Sequence, residues 1–217
     1  MATIPHAHEE RLITPTGSPG TTMRGTLAIA FRYTLVTTIL LGIVYPLVVT
    51  GLAQLTMRDK ANGQLITRDG QVIGSAIIGQ SFTSSKYFHG RPSVAGNGYD
   101  ATSSGGSNLA QSNKALITRI DAAVADWQKQ VGGQNPGQPV PIGLVTTSAS
   151  GLDPDIAPAD ALYQVPLVAA ARHLPESTVR ALVESHIKGR DLGFLGEPRV
   201  NILSLNLALD AMGSSGR

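Results

Sequence analysis

The sequence predicts an α+β protein: a single N-terminal transmembrane helix followed by one mixed α/β domain built around a small sheet. Three observations lead there. Residues 33–57 are a run of 25 positions without Asp, Glu, Lys, Arg or His. The 160 residues beyond, 58–217, suffice for one compact domain with its own core. Their apolar patterning and turn signals read hairpin, helix, strand, two helices, strand, helix.

Residues 1–32 precede the uncharged run, and the first 24 are polar with several Pro and Gly, the composition of a flexible tail. As a helix the run extends about 37 Å at ~1.5 Å per residue, enough for a ~30 Å hydrocarbon core. Arg32 and Arg58 bracket it, and Tyr33 stands at its edge, where an amphipathic ring suits the interface. A cleavable signal peptide, cut near Gly51-Leu52-Ala53, is the rival reading. The run exceeds the roughly 7–15 apolar residues of such peptides and 32 residues precede it, so a retained anchor over 33–57 is expected. Thr34, Thr38, Gly42, Pro46, Thr50 and Gln54 recur at every fourth position. Small and polar groups in register let helix backbones approach in lipid, so this stripe is expected to pack on partner helices. Pro46 removes the hydrogen bond to the Gly42 carbonyl, leaving it to a neighbouring helix or a threonine hydroxyl. Charge leaves the orientation open, with Arg11, Arg24 and Arg32 on one flank against Arg58, Lys60 and Arg68 on the other.

In the domain, Asp69-Gly70 between two apolar pairs predicts a two-residue hairpin, its second strand running from Val72 to Ile78 with a break at Gly74. Residues 92–113 hold one charge, Asp100, and no periodicity, which predicts a long irregular loop with a functional or partner-contacting role. Ser112 offers an N-cap for a helix with the stripe Leu116, Ile120, Val124, Trp127 and Val131, stopped by Gly132-Gly133. A Pro/Gly linker, 134–141, leads to a buried strand over 142–147. Pro158 opens a helix that Pro166 should kink or split. Pro175 opens another, with Val179, Leu182, Val183 and Ile187 on one face and Gly189 as its stop. A strand near 200–203 and a short helix ending near Met212 close the chain.

Chemistry shows itself mainly by what is missing. The chain has no Cys, which excludes disulfides, Cys-zinc sites and thiol catalysis. A net charge of +2 without a cationic cluster excludes a phosphate-binding nucleic-acid face. Neither a phosphate-cradling Gly-x-x-x-x-Gly-Lys loop nor a Gly-x-Ser-x-Gly elbow is present. His6, His8, Glu9 and Glu10 lie in the tail without a scaffold, so no metal site is expected. Ser185 and Lys188 form a lone Ser-x-x-Lys without its partner motifs. His89 and Arg91 beside Gly90 and Pro92 read first as a turn with a bonded histidine. Gly105-Gly106-Ser107 offers main-chain N–H groups to an anion, or merely turns the chain. No catalytic residue is assigned.

The ordered blocks do resemble one family. They begin at Tyr45-Pro46, Ala61-Asn62-Gly63, Gly74-Ser75 and Ile78-Gly79-Gln80. The most distinctive are Tyr87-Phe88-His89-Gly90-Arg91-Pro92-Ser93 and Ser104-Gly105-Gly106-Ser107-Asn108-Leu109. Val145-Thr146, Ser148-Ala149-Ser150-Gly151-Leu152-Asp153, Gln164-Val165-Pro166, Gly196, Val200-Asn201-Ile202-Leu203 and Leu205-Asn206 follow. Together, over about 30–210, they resemble the C subunit of the Kdp high-affinity potassium-transporting ATPase. The resemblance implies an accessory subunit in the bacterial cytoplasmic (inner) membrane: 1–32 cytoplasmic, 33–57 transmembrane, 58–217 extracytoplasmic. Its implied partners are a channel-like potassium subunit and a P-type ATPase subunit, which handle potassium and ATP; no cofactor is expected on this chain. A catalytic-chaperone role, raising the ATPase subunit's affinity for ATP, is also implied, with Gln164 as nucleotide contact. His89, Arg91, Ser107 and Asn108 become candidate partner contacts. Leu167, where an arginine usually follows Gln-x-Pro, and Gly143, at a commonly acidic position, depart from the pattern. The alternative is a stand-alone membrane-anchored extracytoplasmic hydrolase or ligand-binding protein.

Overall fold

The computed structural model describes residues 22–131 and 137–214. The tail cluster His6, His8, Glu9 and Glu10 and the Gly132-Gly133 stop lie outside the described residues. The chain divides into two units, Met1–Arg58 and Asp59–Arg217.

The described part of the first unit is one helix, Met23–Thr56, long and apolar enough to cross a membrane. It comprises α1 (Met23–Ile39), a π turn (Leu40–Val44) and α2 (Tyr45–Thr56). It starts well before the uncharged run, because the Thr22 hydroxyl caps it by accepting the Gly25 N–H at 3.3 Å. Pro46 explains the π turn. A proline ring clashes with the carbonyl four residues back, and a widened turn just before it relieves that conflict. The Tyr45 N–H accordingly donates to the carbonyl of Leu40, five residues back. Among the threonine hydroxyls of this helix, Thr37 bonds the Tyr33 carbonyl at 2.8 Å and Thr56 bonds the Leu52 carbonyl at 2.7 Å. None of the helix is buried.

Next in the chain a helical turn, α3 (Arg58–Ala61), leads to the second unit's hairpin, β1 (Leu65–Arg68) and β2 (Gln71–Ser75). Asp69 and Gly70 have φ of 53° and 77°, the two left-handed positions of a tight hairpin turn. The second strand runs through Gly74 and ends at Ser75, short of Ile78. Residues 76–113 are irregular apart from a 3-10 turn, Ala101–Ser103. Helix α4 (Lys114–Val131) is capped by Asn113, whose Oδ1 accepts the Ala115 N–H at 2.8 Å, in place of Ser112.

The strand expected over 142–147 is a 3-10 turn, Ile142–Leu144. Its N–H groups find local carbonyls: Leu144 bonds Pro141 at 3.1 Å and Thr146 bonds Ile142 at 3.0 Å, so no ladder forms. Leu144 and Val145 are buried against Trp127 and Tyr163 instead of within a sheet. Helix α5 (Pro158–Arg172) continues through Pro166 and is not split. The lost hydrogen bond, ~3 kcal/mol in a free helix, is opposed by burial of Val165, Pro166, Val168 and Ala169 on the same helix. Helix α6 (Glu176–Ser185) ends before Gly189, because Ile187 leaves it to pair with Val200. Three short strands, β3 (Asp155–Ile156), β4 (Ile187–Lys188) and β5 (Arg199–Asn201), form an antiparallel sheet in the order β3-β5-β4. Leu203, expected in the last strand, belongs to α7 (Ile202–Ser214).

Two apolar clusters meet on α5. Val165, Val168 and Ala169 join Phe88, Val179, Val183, Val200, Leu205 and Leu209 in one. Tyr163 joins Trp127, Val131, Leu144 and Val145 in the other. Helix α5 is therefore the spine that holds the irregular segment in place.

Candidate functional site

The site is built on the irregular segment 86–93, which two buried amides grip from two helices. Gln164 on α5 is 0% exposed. A buried carboxamide is costly unless its polar atoms are bonded. Oε1 accepts the His89 N–H at 2.7 Å, while Nε2 donates to the carbonyls of His89 at 3.1 Å and Asp160 at 3.2 Å. Asn206 on α7 does the same one residue earlier: Oδ1 accepts the Phe88 N–H at 2.8 Å and Nδ2 donates to its carbonyl at 2.9 Å. Each amide acts as a peptide group of a missing neighbour strand, and the Phe88 ring anchors the segment in the core.

The flanking side chains are equally committed. Arg172 pairs with Asp210 at 2.7 Å, bonds the Lys86 carbonyl at 2.6 Å and lies 4.8 Å over the Tyr87 ring, whose hydroxyl donates to Asp210. His89 reaches the Ser84 carbonyl through Nε2 at 3.1 Å, and its ring lies 5.6 Å from that of Trp127. Arg91 donates to the Thr147 carbonyl at 3.0 Å and pairs with Asp153 at 3.4 Å. The Tyr99 hydroxyl donates to the Arg91 carbonyl at 2.6 Å. Burial, and then the Asp153 charge, push its pKa up to about 12, against the opposing pull of Arg91. The 92–113 loop is held likewise as far as Gly105: Ser93 donates to the Gly151 carbonyl at 2.6 Å, and the Gly105 N–H donates to the Ser150 carbonyl at 2.9 Å. That bond occupies one N–H of the Gly105-Gly106-Ser107 turn. Ser107 is half-buried, and Asn108 is exposed with φ 52°.

Two clefts border Arg91. One, of about 270 Å³, is edged by His89, Tyr99, Asp126 and Trp127. The other, of about 640 Å³, is edged by Asp153, Asp155, Asp160 and Arg199. Asp160 is nearly fully buried; it accepts the Ala157 N–H at 3.0 Å and a hydrogen bond from the Gly143 main chain. Burial raises its pKa above the ordinary carboxylate value, outweighing those bonds and the Arg91 charge. In this chain Gly143 leaves room for that carboxylate: a Cβ would run into it unless the Asp160 side chain shifted.

Nothing in this arrangement poses a nucleophile against a free base. Ser185 Oγ lies 3.2 Å from His186 Nδ1, but that nitrogen is already 2.8 Å from the Leu182 carbonyl. The helix ends between Ser185 and Lys188, so the Ser-x-x-Lys pair does not share a helical face. Among the described residues no group of three or more His, Asp or Glu is placed to hold a metal ion.

Sequence reasoning had singled out Gln164, His89 and Arg91, and the structure brings these three to one segment. It missed Asn206 and Asp160. The available signal for Asn206 was a lone amide within an apolar helix, between Leu205 and Leu209. Thr34, Thr38, Gly42, Pro46, Thr50 and Gln54 all lie on the helix Met23–Thr56, with Gly42 itself in the π turn.

Comparison with known proteins adds a family. Residues 27–211 match a sequence family described as K+-transporting ATPase, c chain. A Koribacter versatilis protein named potassium-transporting ATPase KdpC subunit is 53% identical over 188 residues, covering 87% of this chain and 95% of its own. Proteins of the same name from Acidobacterium capsulatum and Methylobacterium nodulans are 55% and 49% identical, covering 86% and 88% of this chain and 98% and 96% of theirs.

Proposed function

We propose that this chain, which belongs to the KdpC family of K+-transporting ATPase c chains, serves its ATPase complex as a non-catalytic subunit that stabilises the assembly. The observation that carries this reading is the match from residue 27 to 211, which includes the whole uncharged run 33–57 and the whole clamp around residues 86–93. In this reading 1–32 is cytoplasmic, 33–57 crosses the inner membrane and 58–217 is extracytoplasmic. The partners are a channel-like potassium subunit and the P-type ATPase subunit. The stripe from Thr34 to Gln54 packs on partner helices, where small residues permit close approach. Asn108 and the exposed end of its loop meet the partner's outer face, while His89 and Arg91 give that loop its shape.

A chaperone effect on ATP affinity, in this reading, is transmitted through the assembled complex. Gln164 is buried and its amide is spent on His89 and Asp160, which favours a structural role for it over nucleotide contact. Affinity purification of the tagged full chain from membranes tests the reading. Co-purification of the two partner subunits with potassium-stimulated ATPase activity is expected. Recovery of the chain alone, with hydrolytic activity of its own, would refute it.

A further inference from the structure

Residues 190–198, Arg-Asp-Leu-Gly-Phe-Leu-Gly-Glu-Pro, place three large apolar side chains in a turn, where polar residues are the norm. The turn is closed. Asp191 and Leu195 exchange two main-chain hydrogen bonds, both 2.9 Å, and Arg190 pairs with Glu197 at 2.7 Å. Leu192 and Gly193 take left-handed φ of 53° and 83°. This fixed backbone holds Leu192, Phe194 and Leu195 outward, 82%, 69% and 50% exposed. A closed loop with an apolar tip is a surface built to be covered.

The base of the loop is charged. Asp191 is held by Arg199 at 3.0 Å and lies 4.0 Å from Lys188. Lys188 and Arg199 form one side of a cleft of about 700 Å³, with Lys60 also lining it and Asp155 its only acidic lining residue. The Lys60 ammonium makes no ion pair among the described residues. Arg199 also pairs with Asp155 at 3.4 Å, so three cations meet two carboxylates here, Lys60 being the excess charge, with an apolar tip beside them.

The chain itself restricts what can cover this surface. Lys60 follows Thr56, the last residue of the apolar helix, by four positions. Four residues of chain reach at most ~14 Å, so Lys60 stays close to the level at which the helix ends, whatever the orientation of the domain. Cations beside exposed apolar side chains are the combination that a phospholipid interface recognises, phosphates meeting the former and the acyl boundary the latter.

We propose that the Leu192–Phe194–Leu195 tip and the cleft cations Lys60, Lys188 and Arg199 rest on the anionic phospholipid surface beside the helix. The proposal rests on the reading that Met23–Thr56 crosses a bilayer. The chain has no native Cys, so single labels are clean. Full-length Phe194→Cys, Leu41→Cys and Ala122→Cys chains carrying an environment-sensitive fluorophore are reconstituted in phosphatidylcholine vesicles, with or without phosphatidylglycerol, and challenged with a lipid-borne quencher. Strong quenching is expected at 41, phosphatidylglycerol-dependent quenching at 194, and none at the exposed position 122. Lys60→Gln and Lys188→Gln are each expected to shift the docked-to-undocked ratio at 194 about fivefold. Inorganic phosphate added to pure phosphatidylcholine vesicles should leave 194 unquenched; if it substitutes for the lipid, the site is for free phosphate and the proposal fails. Quenching at 41 with 194 as aqueous as 122 sinks this proposal alone. A label at 194 that is shielded from water yet not quenched by lipid means a protein covers the tip, and that outcome also overturns it. Absence of quenching at 41 removes the membrane-spanning reading and this proposal with it.

Discussion

Gln164 closes on the main chain of His89 from both sides: the His89 N–H donates to Oε1 at 2.7 Å, and Nε2 donates back to the His89 carbonyl at 3.1 Å. A leucine at 164 would fill similar space and leave those two partly buried groups unpaired. At ~1–3 kcal/mol for each of the two orphaned groups, Gln164→Leu should lower unfolding stability by about 2–6 kcal/mol. Chemical denaturation of the purified chain measures this, and a loss below ~0.5 kcal/mol, the range of ordinary surface changes, would contradict the clamp.

Asn206 grips Phe88 as Gln164 grips His89. The two amides thus act on adjacent residues of one segment. In the assembled ATPase, Gln164→Leu and Asn206→Leu are expected to change the KM for ATP in the same direction and to similar extents. A change confined to the Gln164 variant would favour direct nucleotide contact. Stabilities of the double variant should fall short of additivity by about 1 kcal/mol, since the second substitution frees a segment already loosened.

The raised pKa of Asp160 has a defined sign. Its folded-state pKa lies above the unfolded value because burial disfavours the carboxylate. Its contribution is fully present below the ordinary carboxylate pKa and is lost as pH rises through the raised one. Asp160→Asn has no such term, and its NH2 would oppose one of the two main-chain donors, Ala157 or Gly143. The variant should be less stable by about 1–3 kcal/mol, with the gap widest at acidic pH and narrower towards neutrality. Denaturation midpoints across pH 4–8 read this directly.

Gly143→Ala places a methyl group against the Asp160 carboxylate. The expected loss is about 1–3 kcal/mol, the usual cost of overpacking. Thermal unfolding of the variant beside Gly137→Ala, where no neighbour lies within reach but φ is 74°, separates crowding from backbone strain.

Gly42 lies in the π turn of the apolar helix, midway along the stripe of small residues. Gly42→Leu keeps the helix apolar while blocking close approach. Recovery of the partner subunits on purification should fall, with the chain itself still inserted. Undiminished recovery would remove the stripe from the interface.

How far the sequence reached can be judged element by element. The uncharged run 33–57 and the Asp69-Gly70 hairpin rest on local rules, unbroken apolar composition and left-handed turn geometry, and both are legible without tertiary structure. The short strands β3 and β4 were not, because two residues carry no period; they exist only through pairing with β5. The expected strand at 142–147 failed for the same reason. An apolar run does not say whether it will meet a ladder partner or bond within its own turn, as Thr146 does to Ile142.

By itself, then, the sequence determined the apolar helix, the order of the long helices and, through its ordered motifs, the family. Each of these depends on residues close in the chain or on blocks read one at a time. The hydrogen-bond partners of Gln164 were decided only by the fold. Residues 89, 160 and 206 are far apart in sequence, and α5 and α7 bring them around one segment. There, the buried Gln164 amide has its hydrogen bonds already made, to His89 and Asp160.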